Sequence, residues 1–318
     1  MTNARTGREA SAFQHAAFLY RTQQEYLERL LPFISDSVAA DHPVLVAVPG
    51  SNLAALSDGL GQLAVKVVMA DMTEVGRNPA RILGELLGRF VQKHPDQPVR
   101  IIGEPIWPSR SDVEYPACVQ HEALINRAFT GRGITVVCPY DVAQLDPGVI
   151  ADVHYTHPVL WQDGLLEQDS PRYAPEAAWA RYNQPLASDP SAVRYTARSL
   201  ADLGGARAFT TAYAQWFGLS ASTTADLQLI ASELATASLA RAAGACRLAL
   251  WRCDGHVVCE ARDGGCLDDP LAGRRPYGSE NAGGRGLYVV NAVADLVRIH
   301  TTATETTIHA YLRLQDAS

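Results

Sequence analysis

The sequence has no CxxC pair, no Walker-type GxxxxGK[ST] loop and no surplus of basic residues, and nowhere does it approach about 18 uninterrupted apolar residues. The first absence argues against a zinc knuckle or a thioredoxin-like redox centre, the second against P-loop phosphate chemistry. With 27 Lys and Arg against 34 Asp and Glu, a formal charge of −7, the chain does not read as a general nucleic-acid binder. An acidic surface suits a basic protein partner instead. Lack of a long apolar run argues against a membrane span, and the polar opening MTNARTGREASAFQH reads as a frayed tail rather than a signal peptide. The expected location is therefore the cytoplasm.

What is present is ordinary globular material: 318 residues, 47% hydrophobic and 19% charged, enough for two domains. The six cysteines, Cys118, Cys138, Cys246, Cys253, Cys259 and Cys266, read as free and mostly buried thiols in a reducing compartment. Four of them crowd into 246–266, a pattern open to a redox sensor, but alternation along that stretch favours core positions.

Two regions differ in rhythm. In the first, PVLVAVP (43–49), VKVVMAD (65–71), VRIIGE (99–104) and ITVVCPYD (134–141) read as strands buried on both faces. They alternate with helix candidates at 23–40, 78–94 and 113–129, a pattern that predicts a parallel, doubly wound sheet. Residues 168–192, rich in proline, read as a linker that packs Tyr173, Trp179 and Tyr182 on a neighbouring domain. In the second region, helices at 204–218 and 222–243 precede strands 246–253 and 256–263, joined by the hairpin signal Asp254-Gly255. A Gly-rich stretch, a helix at 286–295 and two closing strands follow. This order predicts an α+β sandwich with helices on one face of a mixed sheet.

Helix 222–243, with Ser222, Thr223 and Thr224 as caps, puts Leu227, Ile230, Ala231, Leu234 and Ser238 on one face. Glu233 and Ala237 lie together at the rim of that stripe. A carboxylate there suits a general base or a metal-water ligand; a solvated helix glutamate is the alternative. Further on, RDGGCLDDP places Asp263 after an apolar strand, and GGRGLYVV places Gly283, Gly284 and Gly286 at a helix start. There backbone N–H groups can approach a phosphate at the positive end of the helix.

The order SELATAS, EARDGG, GGRGLYVV and a closing strand pair resembles the GHKL ATPase fold, and within it the RsbW-type anti-sigma factor kinases, over roughly 115 residues. The resemblance implies an ATP site. Glu233 matches the base that activates water or a target serine, Asp263 the acceptor for the adenine amino group, and Gly265 the glycine beside it. Gly284, Arg285, Gly286 and Leu287 match the box beneath the phosphates, and residues 267–282, with Arg274 and Arg275, the lid. Two positions depart from the family. Ala237 stands where an asparagine supplies a carbonyl oxygen to Mg²⁺, and Leu267 where a second glycine belongs. ATP is thus the implied cofactor, while a methyl group in place of an amide argues against Mg²⁺ and against efficient phosphoryl transfer.

The first region resembles the MEDS sensory module of RsbA-family regulators. The matching pieces are HAAFLYRTQQEYLERLLPFISDSVAADHPVLVAVP, RIIGEPIW, EALINRAF, VVCPYD and YTHP. The resemblance implies a RecA-like fold without phosphate chemistry. A ligand in such a sheet sits beyond the carboxyl ends of the strands. Candidates there are Asp71, Glu104, Tyr140 and Asp141, with His15 and Tyr20 nearby. Cys138, His154 and His157 carry groups that bind metals or sense oxidation, and polar strand ends that merely cap helices are the plainer reading. No metal is assigned.

The expected organisation is a MEDS-like domain at 13–167, a linker at 168–192 and a GHKL domain at 193–315. The function implied is a signalling regulator whose degenerate ATPase domain binds a sigma factor or an anti-sigma antagonist under control of a small-molecule sensor. A homodimer is compatible, and neither nucleic acid nor membrane is an expected partner. Two alternatives stand beside it: an active protein-serine kinase acting on an antagonist, and a binding module unrelated to sigma factors. A two-component histidine kinase is disfavoured, because no helix with a suitable phosphorylatable histidine precedes the ATPase region.

Overall fold

Short runs, most of them rich in apolar and β-branched residues, build the first sheet. They form β1 (Gln14–Tyr20), β2 (Val44–Val48), β3 (Val68–Asp71), β4 (Val99–Gly103), β5 (Ile134–Asp141), β6 (Val159–Gln162) and β7 (Leu166–Asp169). The computed structural model describes residues 13–162, 166–242, 244–276, 278 and 284–314, and among these the strand order is β3-β2-β4-β5-β1-β6-β7. All neighbours are parallel except β7, which runs against β6. Every residue of β2 and β5 is buried, as strands covered on both faces require. Period-two alternation divides the sheet's side chains. Ala16, Phe18, Tyr20, Ile102 and Val137 pack in one core with α1 (Gln23–Ala39) and α2 (Gly50–Leu60). The alternate residues, His15, Cys138 and Tyr140 among them, face α3 (Tyr115–Ala128), and α4 (Pro147–Thr156) follows β5.

Three details differ from expectation. The segment HAAFLY forms β1, placed between β5 and β6. The helix expected at 78–94 is interrupted: Pro79–Arg81 and Arg89–Gln92 flank a π-helical stretch, Ile82–Gly88. Residues 168–182 are not linker. They finish β7 and form α5 (Pro175–Tyr182), whose proline opens the helix where no amide donor is needed. Arg181 Nη1 donates to Asp152 Oδ1 at 2.7 Å, and the Tyr182 hydroxyl also donates to Asp152.

The second unit is a five-stranded sheet ordered β11-β12-β10-β9-β8. Its strands are β8 (Val193–Ala197), β9 (Cys246–Cys253), β10 (His256–Asp263), β11 (Leu296–Thr301) and β12 (Thr306–Arg313). Every pairing among the described residues is antiparallel, so the expected mixed sheet is corrected. The strand that completes it, β8, pairs with β9 along its edge. Asp254 and Gly255 both have positive φ, 46° and 73°, the backbone that a two-residue hairpin needs. Helices α6 (Leu203–Trp216), α7 (Ala221–Arg241) and α8 (Arg285–Val293) share one apolar core with this sheet. The cap of α7 is Ser220, whose side chain accepts from Thr223 N at 3.1 Å, rather than Ser222, Thr223 or Thr224.

By contacts the chain divides into residues up to Arg77 with Leu86–Tyr182, and Asn78–Glu85 with Asn183 onward. Of the crowded cysteines, Cys246 and Cys259 are core residues, but Cys253 is exposed and Cys266 half-buried. No helix among the described residues is long and apolar enough to cross a membrane.

Candidate functional site

The stripe Leu227, Ile230, Ala231, Leu234 and Ser238 is buried and holds α7 on the sheet. Glu233 and Ala237 are left half-buried at its rim, facing α8. A Cβ built on Gly286 would stand 3.0 Å from Glu233 Oε2 and 3.8 Å from the Ala237 methyl. Glu233, Ala237 and Gly286 are therefore brought together. Leu287 is buried in the core, Arg285 is exposed and Gly284 caps α8. Gly283 and much of the lid, Tyr277 and residues 279–282, lie outside the described residues.

Asp263 ends β10 and is buried. Its carboxylate accepts from Arg241 Nη2 at 2.5 Å, from the Ser238 hydroxyl and from Gly265 N at 2.9 Å. Arg241 also closes over the turn, since a Cβ on Gly265 would meet its Cγ at 2.9 Å. The carboxylate expected to receive adenine is thus filled by the chain's own groups. The start of α8 is similarly covered. Gly273, at φ +72°, lies so close that a Cβ there would meet Leu287 Cβ at 2.6 Å, and one on Gly284 would meet Gly273 N at 2.4 Å. Asn291 Nδ2 donates to Gly273 O at 2.8 Å and fixes this turn. Leu267 turns inward against the core, its amide donating to Thr301 Oγ1 at 2.9 Å. Arg274 is buried, which lowers its guanidinium to about 10, and Arg275 pairs with Asp269.

In the first unit, four of the expected pocket residues meet on one side of the sheet. His15 Nε2 is 3.1 Å from Glu122 Oε2, Cys138 Sγ lies 3.5 Å from His15 Nε2, and His157 Nε2 is 3.4 Å from the same Glu122 oxygen. The Tyr140 hydroxyl donates to Glu122 Oε1 at 3.0 Å. Parallel pairing of β1 with β5 and β6 makes this meeting possible, with His15 beside Val136 and Ala17 beside Cys138. Burial holds His15 down, to about 4, and pushes the Cys138 thiol and the Tyr140 hydroxyl up.

Residues 14–158 match the model of the MEDS family, described as the MEthanogen/methylotroph, DcmR Sensory domain. Residues 196–312 match that of the histidine kinase-like ATPase domain. The chain carries a MEDS domain followed by a histidine kinase-like ATPase domain. No curated protein matches the chain.

Within the MEDS domain the remaining candidates form a separate group on the opposite face. Asn52 Nδ2 donates to Glu104 Oε2 at 2.9 Å, the Tyr26 hydroxyl does so at 3.5 Å, and Tyr20 packs edge-on against Tyr26. Burial raises Glu104 to about 8 and, helped by Glu104 nearby, raises Tyr20 as well. Asp71 and Asp141 take the plain structural role: they accept from Thr73 N and Ala143 N, both at 2.9 Å. His154 is half-buried on α4 and stands outside the group around Glu122.

At the carboxyl ends of β4 and β5, where an open parallel sheet holds ligands, lies a cleft of about 420 Å³. Trp107, Arg110, Tyr115, Gln144, Asp152 and Tyr182 line it. None of these residues stands out in the sequence as a site residue. Glu122 is equally inconspicuous, since a glutamate inside EALINRAF reads as a solvated helix position. The fold alone discloses it: every residue of α3 from Ala117 to Ile125 is buried, Gln120, His121 and Glu122 included.

Proposed function

We propose that the chain is a signalling regulator whose ATPase domain works as a protein-binding module, taking a sigma factor or an anti-sigma antagonist, with the MEDS domain as its sensor. The observation that carries this reading is the filled carboxylate of Asp263, held by Arg241, Ser238 and Gly265. Adenine would have to displace a buried ion pair, and truncating such a pair costs more than an exposed one. Ala237 adds to it: a methyl group brings no oxygen to a cation opposite Gly286, so the donor set does not fit Mg²⁺. ATP remains a ligand the domain accepts if Arg241 and the turn at Gly273 move aside.

One observation favours the competing reading of an active serine kinase. Glu233 keeps its place against Gly286, where a base beside the phosphates belongs. Labelled ATP with Mg²⁺ and candidate antagonist proteins separates the two. The binding reading predicts a complex that forms without nucleotide and no phosphoserine above background. Robust transfer that disappears in Glu233→Gln would establish the kinase instead. Recovery of partners from outside sigma-factor pathways would retain the binding module and discard the partner assignment.

A further inference from the structure

The group around Glu122 has a property that the sensor reading does not use. His15 Nδ1 lies 3.1 Å from Asn126 Oδ1. The orientation of that amide is fixed, because Asn126 Nδ2 donates to the carbonyls of Thr156 at 2.8 Å, Glu122 at 3.2 Å and Ala123 at 3.3 Å. Facing an acceptor, His15 Nδ1 carries the proton. His157 Nδ1 lies 3.1 Å from the Val153 carbonyl, which only accepts, and 2.9 Å from the Thr156 hydroxyl, whose own proton is within reach of the Asp152 and Val153 carbonyls, so the same holds there. Both imidazoles therefore turn an unprotonated Nε2 inward. His157 Nε2 has no hydrogen-bond partner among the described residues.

The two lone pairs face the Oε2 lone pairs of Glu122 and the sulfur of Cys138. All four ligating atoms lie within 4.8 Å of one another, on side chains no more than 1% exposed. The Cys138 thiol can donate to Glu122 Oε2 at 3.6 Å, but the two Nε2 lone pairs and the carboxylate face one another away from water with no cation between them. Four of the six spacings suit a zinc-sized ion. Zinc bonds of about 2.0–2.1 Å to nitrogen and oxygen and about 2.3 Å to sulfur give tetrahedral edges of roughly 3.3 Å and roughly 3.6 Å. Of the six edges here, the two from Glu122 Oε2 to the imidazoles are 3.1 and 3.4 Å, while those from His157 to His15 and to Cys138 lie within 4.8 Å, so His157 must draw in to complete the set. Those from Cys138 Sγ are 3.5 Å to His15 and 3.6 Å to Glu122.

We propose that His15, Glu122, Cys138 and His157 form a tetrahedral Zn²⁺ site within the MEDS domain. Binding releases the thiol proton of Cys138, and the resulting thiolate and the Glu122 carboxylate balance the two positive charges of the ion. A neutral assembly of this kind is far cheaper to bury than a free ion. Asn126, Val153 and Tyr140 supply the outer hydrogen bonds that orient the ligands, as metal-bound histidines and carboxylates require. With four protein ligands the site is closed, so its work is to clamp β1, α3, β5 and the α4–β6 junction together rather than to activate water. Sequence alone does not disclose it, because the ligands are spread over 143 positions (157 − 15 + 1) with no paired spacing.

The test uses the full-length chain with Cys253→Ser and Cys266→Ser to remove accessible thiols. It is expressed in minimal medium containing Zn²⁺ and, in parallel, Co²⁺, then washed with EDTA and passed through gel filtration. The site predicts about one zinc per chain. It also predicts a cobalt protein with intense visible ligand-field bands and a near-ultraviolet thiolate-to-cobalt band. Cys138→Ser, nearly isosteric, abolishes the thiolate band, and His157→Gln lowers retained metal at least tenfold. Wild-type ligands that retain less than about a tenth of an equivalent, or a thiolate band that persists in Cys138→Ser, would overturn the proposal. Should a variant not fold, the cobalt spectrum of the parent decides alone.

Discussion

Arg241 closes the second unit's candidate site by a contact that a linear reading of the motifs does not reveal. It sits two turns beyond Glu233, in the last turn of α7, where a basic side chain ordinarily complements the helix dipole. Its guanidinium instead reaches Asp263 and packs over Gly265. Glu233, Asp263, Gly265 and Gly286 were legible because each belongs to a short motif of ordered spacing. Arg241 was not, because its role depends on how the end of α7 meets the end of β10. Arg241→Ala leaves Asp263 buried without its cation, and should lower stability by about 3 kcal/mol in urea unfolding. The same substitution should raise affinity for a fluorescent ATP analogue. A variant as stable as the parent and equally weak towards nucleotide would show that the ion pair guards nothing.

The elements around α8 extend the argument from a side chain to a backbone turn. A phosphate site at a helix start works only if the first amides are open to it. Here the turn at Ala272 and Gly273 lies on that start, and only glycine at 273 and 284 permits the approach. The motif GGRG, readable as a phosphate box, also serves to admit the chain's own backbone, and the two uses look alike in sequence. Gly273→Ala combines a side chain at φ +72° with contacts under 3.0 Å to Leu287 and Tyr288. Its expected effect is a loss of roughly 2 kcal/mol, with the turn lifted from α8. Limited proteolysis within 271–276 should then accelerate, and unchanged cleavage would mean that the turn accommodates a methyl group where it is. In the first sheet, β2, β4 and β5 were legible as largely apolar runs rich in β-branched residues. HAAFLY, with two alanines and a leading histidine, lacks that signature and becomes a strand because β5 and β6 flank it.

Across the whole chain, two cores were foreseeable from a change of rhythm near residue 190, but their boundary was not, because Pro175, which reads as part of a linker, opens α5 instead. Two separate cores should unfold in two calorimetric transitions, each responding to substitutions in its own unit. Glu104 offers a pH-dependent handle on the first. Burial raises its carboxyl from 4.5 to about 8, so the folded state keeps a proton that the unfolded chain releases in that window. Stability from this residue is therefore complete below pH 4.5, falls as pH rises and stops falling above about 8. Glu104→Gln keeps an acceptor for Asn52 and Tyr26 but has no proton to lose. Relative to the parent it should gain about 1.4 kcal/mol per pH unit across the window, then level off. In calorimetry at pH 6 and pH 9, Glu104→Gln should move one transition, and more at the higher pH, while Arg241→Ala moves the other. If both substitutions displaced a single common transition, the chain would be one cooperative unit, and a signal at the sensor would reach the ATPase domain through shared stability.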